Sequence, residues 1–320
     1  MRRKRRVDCQ GSNMQSATRT LVKADDPVDL HMHTFASDGR WTAETLSDYL
    51  SEQGFKIVAV ADHDTTDSVP ELQERGTRLG LNVVPAVEMT TRWEERQIHC
   101  LIFGIEPSSP KSAPFMQLLR RQQDNLAAKS EEIIALLDRH GRRLPSMEAV
   151  LEGRPQKPYM VYRAMIRDGH GHDLRTSHNI IKGLGESGLV DVPLAETVAA
   201  AHAAGALAVI AHPGRDDGWG LLKEPELDRI LAEIPIDGVE AHYRSYKNED
   251  TQLYRDWAAA NGLVVSAGSD SHWPSFPVNP TPHPARWVAD LLTRLGYEVE
   301  EYEGPAWVPP EPAAATSSNG

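Results

Sequence analysis

The stretch that decides the fold reads VDLHMHTFASDGRW and spans residues 28 to 41. A short apolar run ends at His31 and His33, and Asp38 follows at a glycine turn. Side chains alternate along a strand, so residues two apart point to the same side. Both imidazoles therefore face the same side of the predicted strand. They are either packed in the core or bind a metal ion. Partners elsewhere in the chain decide between the two.

The composition fits one large domain with an elaboration, or two ordinary domains. The chain has 320 residues, of which 40% are hydrophobic, and a formal net charge of -12. This charge argues against a general nucleic-acid coat, and we expect no stable binding of duplex nucleic acid. Cys9 and Cys100 are too few for a disulfide framework, and no long uncharged apolar segment is available to span a membrane. We expect a soluble cytoplasmic protein.

Seven short β-rich runs alternate with amphipathic helical patterns along the chain. The runs cover residues 28–31, 57–62, 82–88, 98–105, 206–212, 238–243 and 263–270. Most are apolar throughout, as expected for strands that are buried on both faces. Between the third and fourth runs, MTTRWEERQ is too short for a crossover helix and predicts a hairpin. The whole pattern predicts an α/β barrel.

Helical patterns without a convincing strand fill residues 106–190, which predicts a helical insertion that caps one end of the barrel. The barrel is then divided into a first part, residues 27–105, and a second part, residues 191–303. Residues 1–26 begin with MRRKRR and continue with polar residues, so we interpret them as a disordered basic tail. Residues 304–320 are rich in proline, alanine and serine, which predicts a second disordered tail.

Histidines and carboxylates are concentrated at the ends of the predicted strands. Six of the thirteen histidines and three acidic residues belong to this set. The set consists of His31, His33, Asp38, His63, Glu88, His99, His212, Asp270 and His272. In an α/β barrel, the carboxyl ends of the strands form the face on which active sites are assembled. We therefore expect the nine side chains to converge at one mouth of the barrel.

Imidazoles and carboxylates without cysteine are ligands for manganese, iron or zinc, and are not typical of a structural thiolate site. Nine such groups exceed what one tetrahedral ion uses. The sequence therefore predicts two or three divalent ions, with Glu88 as the natural bridging carboxylate. A cluster of this kind suits phosphate-ester hydrolysis, in which a metal-bound hydroxide attacks the phosphorus and the metals neutralise the phosphoryl oxygens.

These motifs resemble those of the polymerase and histidinol phosphatase (PHP) superfamily of metal-dependent phosphoesterases. The motifs are HMHTFASDG, ADHDT, the pair Glu88 and His99, AHPGR and the closing GSDSH, and the match covers residues 28–104 and 191–275. The resemblance implies a distorted (β/α)7 barrel, in agreement with the seven predicted strands. It also implies three ligand groups, which are His31, His33, Glu88 and Asp270; Glu88, His99 and His212; and Asp38, His63 and His272.

The helical insertion and the stretch HAAGALAVIAHPGR are similar to a narrower subgroup. This subgroup includes 3',5'-nucleoside bisphosphate phosphatases and exonucleases that trim short RNA from the 5' end. The similarity implies hydrolysis of a phosphomonoester on a small phosphorylated substrate, a nucleotide or short RNA. Two alternatives stay open. One is a phosphatase for a small metabolite such as histidinol phosphate, whose cap would lack a site for a second phosphate; the other is a barrel kept as a binding module.

Four basic residues are candidates for binding the substrate phosphate. Arg215 follows the fifth run and is the first candidate for a clamp, because a guanidinium group binds phosphate through two parallel hydrogen bonds. Lys157, Arg163 and Lys182 of the cap are further candidates. The KPY sequence that starts at Lys157 stands where relatives commonly have Arg-Pro-His. The predicted catalytic set is Asp38, His63, Arg215 and Asp270.

Other residues near the predicted mouth are less informative. Asp64 either orients His63 or stabilises its turn, and we expect His242 at the rim. The DGHGHD sequence, residues 168–173, lacks a flanking strand and is interpreted as a flexible surface loop. Four tryptophans fall in nearby loops, where packing against the cap is favoured over base stacking: Trp41, Trp93, Trp219 and Trp273.

Overall fold

The computed structural model describes residues 19–216, 220–274 and 279–309. The strands in these ranges are β1 (Thr20–Val22), β2 (Pro27–Asp29), β3 (Ile57–Val60), β4 (Asn82–Trp93), β5 (Arg96–Phe103), β6 (Val192–Pro193), β7 (Leu207–Ile210), β8 (Gly238–Tyr243), β9 (Val264–Gly268), β10 (His283–Pro284) and β11 (Tyr297–Val299). The α-helices are α1 (Ala43–Glu52), α2 (Val69–Leu79), α3 (Ala113–Arg139), α4 (Met147–Leu151), α5 (Pro158–Arg167), α6 (Leu174–Gly183), α7 (Leu194–Ala204), α8 (Glu224–Glu233), α9 (Asn248–Ala260) and α10 (Ala289–Arg294). Among these described helices, none has an apolar stretch long enough to cross a bilayer.

Nine of the described strands form one curved sheet that nearly closes into a barrel. Its order is β10-β2-β3-β4-β5-β7-β8-β9, with β6 paired to β4 outside this path. The gap between β2 and β9 is bridged by backbone hydrogen bonds. Leu30 N donates to Ala267 O at 2.9 Å, and Asp270 N donates to His31 O at 2.7 Å. All seven predicted runs contain a strand, and the predicted distorted barrel is confirmed.

Side-chain alternation along the strands separates the interior of the barrel from its outer layer. Along β5, Leu101 and Phe103 belong to the interior cluster, whereas Cys100 and Ile102 pack with helix residues outside. Small side chains recur in the interior cluster, because a narrow barrel has little room between its walls. They are Ala59, Ala61, Ala86, Ala211 and Ala267.

The hairpin predicted between the third and fourth runs is present. β4 and β5 pair antiparallel, with Ala86 opposite Phe103 and Trp93 opposite Arg96. β5 also pairs antiparallel with β7, so its amino end lies beside the carboxyl end of β7. This reversal brings His99, near the start of β5, to the same mouth as the side chains that follow the parallel strands.

The insertion lies on the mouth of the barrel, and the first part of α3 shares the hydrophobic cluster of the barrel's outer layer. Residues 106–190 are all described, and they contain α3 to α6 and no strand, as the sequence pattern predicts. Tyr159 Oη in α5 donates to Ser37 O at 3.3 Å, and Arg40 Nη1 lies 2.6 Å from Glu152 Oε2. The insertion has a hydrophobic cluster of its own, which includes Ile133, Leu137, Val161, Tyr162, Met165 and Ile181.

The predicted basic tail is shorter than residues 1–26. Thr20–Val22 forms β1, which pairs in parallel with β11, and Val22 is buried. The prediction of disorder is therefore wrong for this segment, while residues 1–18 lie outside the described residues. The partner strand lies almost a whole chain length away, so no local pattern indicates the pairing.

One residue of the predicted tail, residues 304–320, packs against the barrel, and its described neighbours in the tail are exposed. Trp307 contacts the ring of His242 with centroids 5.7 Å apart, and the Arg255 guanidinium lies 5.9 Å from the centroid of the Trp307 ring. The prediction of disorder is wrong at Trp307, because its side chain packs on His242 and Arg255. Residues 310–320 lie outside the described residues.

A bulge in β8 decides which of its side chains face the mouth. The pairing with β9 shifts between Glu240 and His242, and both Glu240 and Tyr243 reach candidate ligands. His242 is directed elsewhere and is only 4% exposed. It stacks on Trp287 at 4.6 Å and accepts a hydrogen bond from Arg255 Nη1 at 2.8 Å. The expected rim position of His242 is therefore wrong.

Replacing His242 with glutamine should make the stability less sensitive to acid. Burial, followed by the charges of His283 and Arg255, lowers the pKa of His242 to about 2 from an ordinary value of 6.5. Below pH 6.5, His242 is protonated in the unfolded chain but stays neutral in the folded chain. The free energy of unfolding therefore decreases as the pH falls. Between pH 7 and pH 5, the wild type should lose about 2 kcal/mol more unfolding free energy than His242→Gln. Urea unfolding at both pH values measures this difference, and equal losses would contradict it.

Candidate active site

The nine candidate ligands converge at one mouth of the barrel, as the carboxyl ends of its strands predict. Their side chains are buried or partly buried. They come from the segment after β2 (His31, His33, Asp38), the turn after β3 (His63), β4 (Glu88), β5 (His99), the loop after β7 (His212) and the loop after β9 (Asp270, His272).

The Glu88 carboxylate lies at the centre of this cluster and is fully buried. Five imidazole nitrogens lie within 3.2 Å of its two oxygens, three at Oε2 (His31, His33, His63) and two at Oε1 (His99, His212). Each carboxylate oxygen therefore faces a different set of imidazoles. This is the arrangement that a carboxylate bridging two ions requires.

Three groups of ligand atoms are compact enough to hold one ion each. Within each group, the atoms lie within 4.8 Å of one another. The groups are His31, His33, Glu88 and Asp270; His63, Glu88 and His99; and His33, Asp38, His63 and His272. The first has the composition that the family resemblance implies. In the others, His63 and His33 each serve an additional group, while His212 contacts Glu88 without belonging to any of the three.

The residues present fit divalent metal ions. Among the described residues, His33 Nδ1, His63 Nδ1 and Glu88 Oε2 are buried without a hydrogen-bond partner, which is rare for buried polar atoms. Burial alone raises the pKa of Glu88, but the charges of His63, His31 and His99 outweigh it and hold the pKa well below its usual value. An anionic carboxylate among imidazoles is a ligand set for manganese, iron or zinc.

Two buried carboxylates outside the predicted set position the ligands. Glu240 Oε1 lies 3.0 Å from His31 Nδ1, and Oε2 accepts from His212 N at 2.8 Å. Asp62 accepts from Thr34 N at 2.7 Å and from Thr34 Oγ1 at 2.6 Å. Contacts of this kind fix the orientation of metal-binding histidines and their loops. Both residues stand at strand ends, so the signal that marks the ligands is also present for them.

Three residues in or next to the candidate ligand set have left-handed backbone conformations. The φ angles are 51° at Asp64, 27° at His212 and 52° at Asp270. Such residues are uncommon outside glycine and cluster at functional sites. The Asp64 carboxylate accepts from Thr90 N at 2.9 Å and from Thr90 Oγ1 at 2.8 Å. Of the two alternatives for Asp64, the structure favours stabilisation of the turn over orientation of the His63 ring.

The chain is similar in sequence and in fold to enzymes that act on phosphate esters, although no family model matches it. A 5'-3' exoribonuclease Rnm from Salmonella typhimurium is 31% identical over 263 residues, which cover 77% of this chain and 85% of the relative. The chain belongs to the PHP family of metal-dependent phosphoesterases. A 3',5'-nucleoside bisphosphate phosphatase from Chromobacterium violaceum is 26% identical over 261 residues, or 77% of this chain and 87% of the relative. A solved structure assigned as a metal-dependent phosphoesterase, from Bifidobacterium adolescentis, superposes with a TM-score of 0.70 at 24% identity, over 84% of this chain and 96% of that chain.

As a PHP phosphoesterase, the chain is a hydrolase. The alternative of a barrel kept as a binding module is therefore wrong. The geometry agrees, because each of the nine candidate positions holds a side chain that can bind a metal ion and all nine lie at one mouth.

Two arginines of the PHP barrel flank one oxygen of Asp270. Arg215 Nη1 lies 3.0 Å from Asp270 Oδ2, and Arg244 Nη2 lies 3.4 Å from the same atom. Tyr243 Oη donates to that oxygen at 2.7 Å. The other oxygen, Oδ1, lies 3.1 Å from His33 Nε2. Asp270 therefore links the cluster to a basic edge, where Arg244 is a residue that the strand-end pattern could have indicated.

The three basic candidates of the cap have different surroundings. Lys157 is buried, and its Nζ donates to His63 O at 2.6 Å. The Arg163 guanidinium lies 5.7 Å from the centroid of the Trp273 ring. Lys182 is exposed in the last turn of α6.

Two cavities flank the cluster on the side of the cap, and Asp38 and Tyr159 line both of them. The larger one has a volume of about 490 Å³ and is called the arginine cavity here. Its polar and aromatic lining includes Asp38, Arg40, Glu152, Tyr159, Arg163, Arg167, His272 and Trp273. The smaller one, of about 230 Å³, is lined by His63, His99, Lys157 and Tyr162 among others. Lys182 is not among the lining residues of either.

The tryptophans near the mouth differ in exposure. Trp41 and Trp93 are buried, as packing predicts, whereas Trp273 is 37% exposed in the arginine cavity. Trp219 lies outside the described residues. In the DGHGHD sequence, His172 is exposed and belongs to none of the three ligand groups.

Replacing Asp270 with alanine should remove activity while the fold is retained. The variant lacks a ligand of the first group and the acceptor for Arg215 and Tyr243, so manganese affinity should fall by about 100-fold or more. Metal analysis by mass spectrometry, phosphate release and circular dichroism measure the three properties. His172→Ala is the matched control and should keep its metal and activity. Equal losses in both variants would contradict the assignment of the site.

Proposed function

We propose that this PHP phosphoesterase hydrolyses the phosphomonoester of a nucleoside 3',5'-bisphosphate or of a short 5'-phosphorylated oligonucleotide. The arginine cavity is the observation that carries the proposal. It meets the cluster at Asp38 and His272, so a substrate that fills it has one end beside the metal ligands. The relatives named above as exoribonuclease and bisphosphate phosphatase support the same substrate class.

The lining of the arginine cavity matches the parts of a nucleotide. Arg163 and Arg167 provide positive charge for a phosphate that is not cleaved, whereas Arg40 is paired with Glu152 of the same lining. Trp273 offers an exposed aromatic face for a base, since bases stack on aromatic side chains without sequence preference. Histidinol phosphate has no second phosphate for these arginines to bind. The cavity therefore favours the nucleotide over the small-metabolite alternative.

The cluster is proposed to hold three divalent ions of manganese, iron or zinc, one in each ligand group. When bound, such ions lower the pKa of a coordinated water and neutralise phosphoryl oxygens. The protein side chains then have separate roles. Asp38, His63 and Asp270 bind metal, and Arg215 binds the phosphoryl oxygens while Asp270 and Tyr243 hold its guanidinium in place.

A substrate panel tests the proposal directly. Purified protein with manganese should release phosphate from adenosine 3',5'-bisphosphate or process 5'-phosphorylated oligoribonucleotides, and should do so more efficiently than it hydrolyses histidinol phosphate. Chelation should abolish turnover, and added manganese should restore it. The imidazoles and carboxylates of the cluster need a metal ion to activate water and to neutralise the phosphoryl oxygens. Turnover of histidinol phosphate alone would overturn the substrate assignment. Full activity after metal removal would overturn the metal chemistry.

Replacing Arg163 with methionine should change substrate choice without changing the chemistry. Loss of a charge-assisted contact to the uncleaved phosphate predicts a decrease of about 10- to 100-fold in kcat/KM for the bisphosphate. The same variant should hydrolyse p-nitrophenyl phosphate at the wild-type rate, since that substrate has no second phosphate. Arg215→Met is the comparison and should impair both substrates. A parallel loss on both substrates in Arg163→Met would place Arg163 at the cleaved phosphate instead.

A further inference from the structure

The cap binds the backbone of the turn that carries His63. Lys157 Nζ donates to His63 O at 2.6 Å, and Gln123 Nε2 donates to Asp64 O at 3.0 Å. Lys157 immediately precedes α5, whereas Gln123 lies in α3. Two separate helices of the cap therefore bind two consecutive carbonyl groups beside a metal ligand.

This turn needs support from outside the sheet. Asp64 has a φ angle of 51°, which departs from the extended conformation of the preceding strand. From the barrel side, Asp64 N donates to Glu88 O at 2.9 Å and the Asp64 carboxylate binds Thr90. The carbonyls of His63 and Asp64 point to the cap, where a buried carbonyl requires a donor. The side chains of Lys157 and Gln123 supply these donors.

The charge of Lys157 is engaged by the same turn. Its side chain is nearly inaccessible, at 7% exposure. Its ammonium donates to the His63 carbonyl of the barrel at 2.6 Å. Arg163 lines the arginine cavity, whereas Lys157 lines the smaller cavity beside His63 and His99.

We propose that Lys157 and Gln123 are positioning residues, through which the cap sets the occupancy of the two metal positions that include His63. The inference rests on the proposed function, because it takes the cluster to bind three ions. When the two hydrogen bonds are lost, the turn relaxes and the His63 ring leaves its place. The position formed by His31, His33, Glu88 and Asp270 keeps all of its ligands. Lys157 therefore has a different role from the phosphate ligand that the sequence suggests.

Two independent variants test this. Lys157→Met removes the ammonium but keeps an unbranched chain, and Gln123→Leu removes the amide at similar volume. Calorimetric titration of chelator-treated full-length protein with manganese measures the number and affinity of the sites. Both variants should retain one site of wild-type affinity and bind the remaining manganese about tenfold more weakly or worse. With p-nitrophenyl phosphate, kcat should fall more than KM rises.

Two further variants serve as controls. Lys157→Arg should restore most of the manganese binding, because a guanidinium group can also donate to the His63 carbonyl. Lys111→Met, at an exposed lysine of the cap that has no assigned role, should be silent in every measurement. Circular dichroism establishes that each variant is folded. Should Lys157→Met not fold, Gln123→Leu carries the test by itself, since it acts on the neighbouring carbonyl.

The outcomes separate this inference from the proposed function. Wild-type manganese binding in Lys157→Met and Gln123→Leu overturns the inference, and a raised KM in Lys157→Met at the same time makes Lys157 a phosphate ligand. A wild-type protein that binds no manganese overturns the proposed function and the inference together. A wild-type protein with three sites, of which both variants weaken two, supports both.

Discussion

The site depends on one charge held inside the barrel, the carboxylate of Glu88. Moving a carboxylate from water into a protein interior is costly unless opposite charges and hydrogen-bond donors surround it. Glu88 is fully buried, and the five imidazole nitrogens around it come from four separate segments of the chain. No local structure could gather them. The near closure of the sheet is therefore a requirement of the ligand cluster as well as of the hydrophobic core.

Closure explains a glycine at the end of β9. A Cβ atom at Gly268 would lie 2.1 Å from His31 Cβ and 2.8 Å from Glu240 Oε1. Because the first of these neighbours is fixed to the backbone, a side chain at this position would push the first and last barrel strands apart. Their close approach lets Asp270 N donate to His31 O and lets the buried Asp29 carboxylate accept from Ser269 N at 3.0 Å. The absence of a side chain at Gly268 thus allows the strands that carry His31 and Asp270 to approach each other.

The sequence predicts the convergence of the candidate ligands better than it predicts the contacts around them. The candidates stand at the ends of apolar runs, and this pattern is local and repeats along the chain. Glu240 carries the same signal, but its role depends on a bulge in β8 that no local pattern encodes. The sequence suggests Lys157 for binding phosphate, and it does not indicate that the ammonium donates to the His63 carbonyl, because the direction of a long side chain depends on how α5 packs on the barrel. Pairing of β1 with β11 is likewise a long-range contact.

The packing of α5 joins substrate choice to metal binding. Lys157, at its start, contacts the turn of His63; Tyr159, in its first turn, donates to Ser37 O and lines both cavities; and Arg163, one turn later, lines the arginine cavity. A shift of this helix moves the cavity wall and the support of a metal ligand together. Trp273 lines the same cavity from a barrel loop; it follows the candidate ligand His272 directly, and the two ring centroids lie 6.3 Å apart. Both walls of the cavity are therefore joined to the cluster, so a change of substrate range from either side also acts on the surroundings of a candidate ligand.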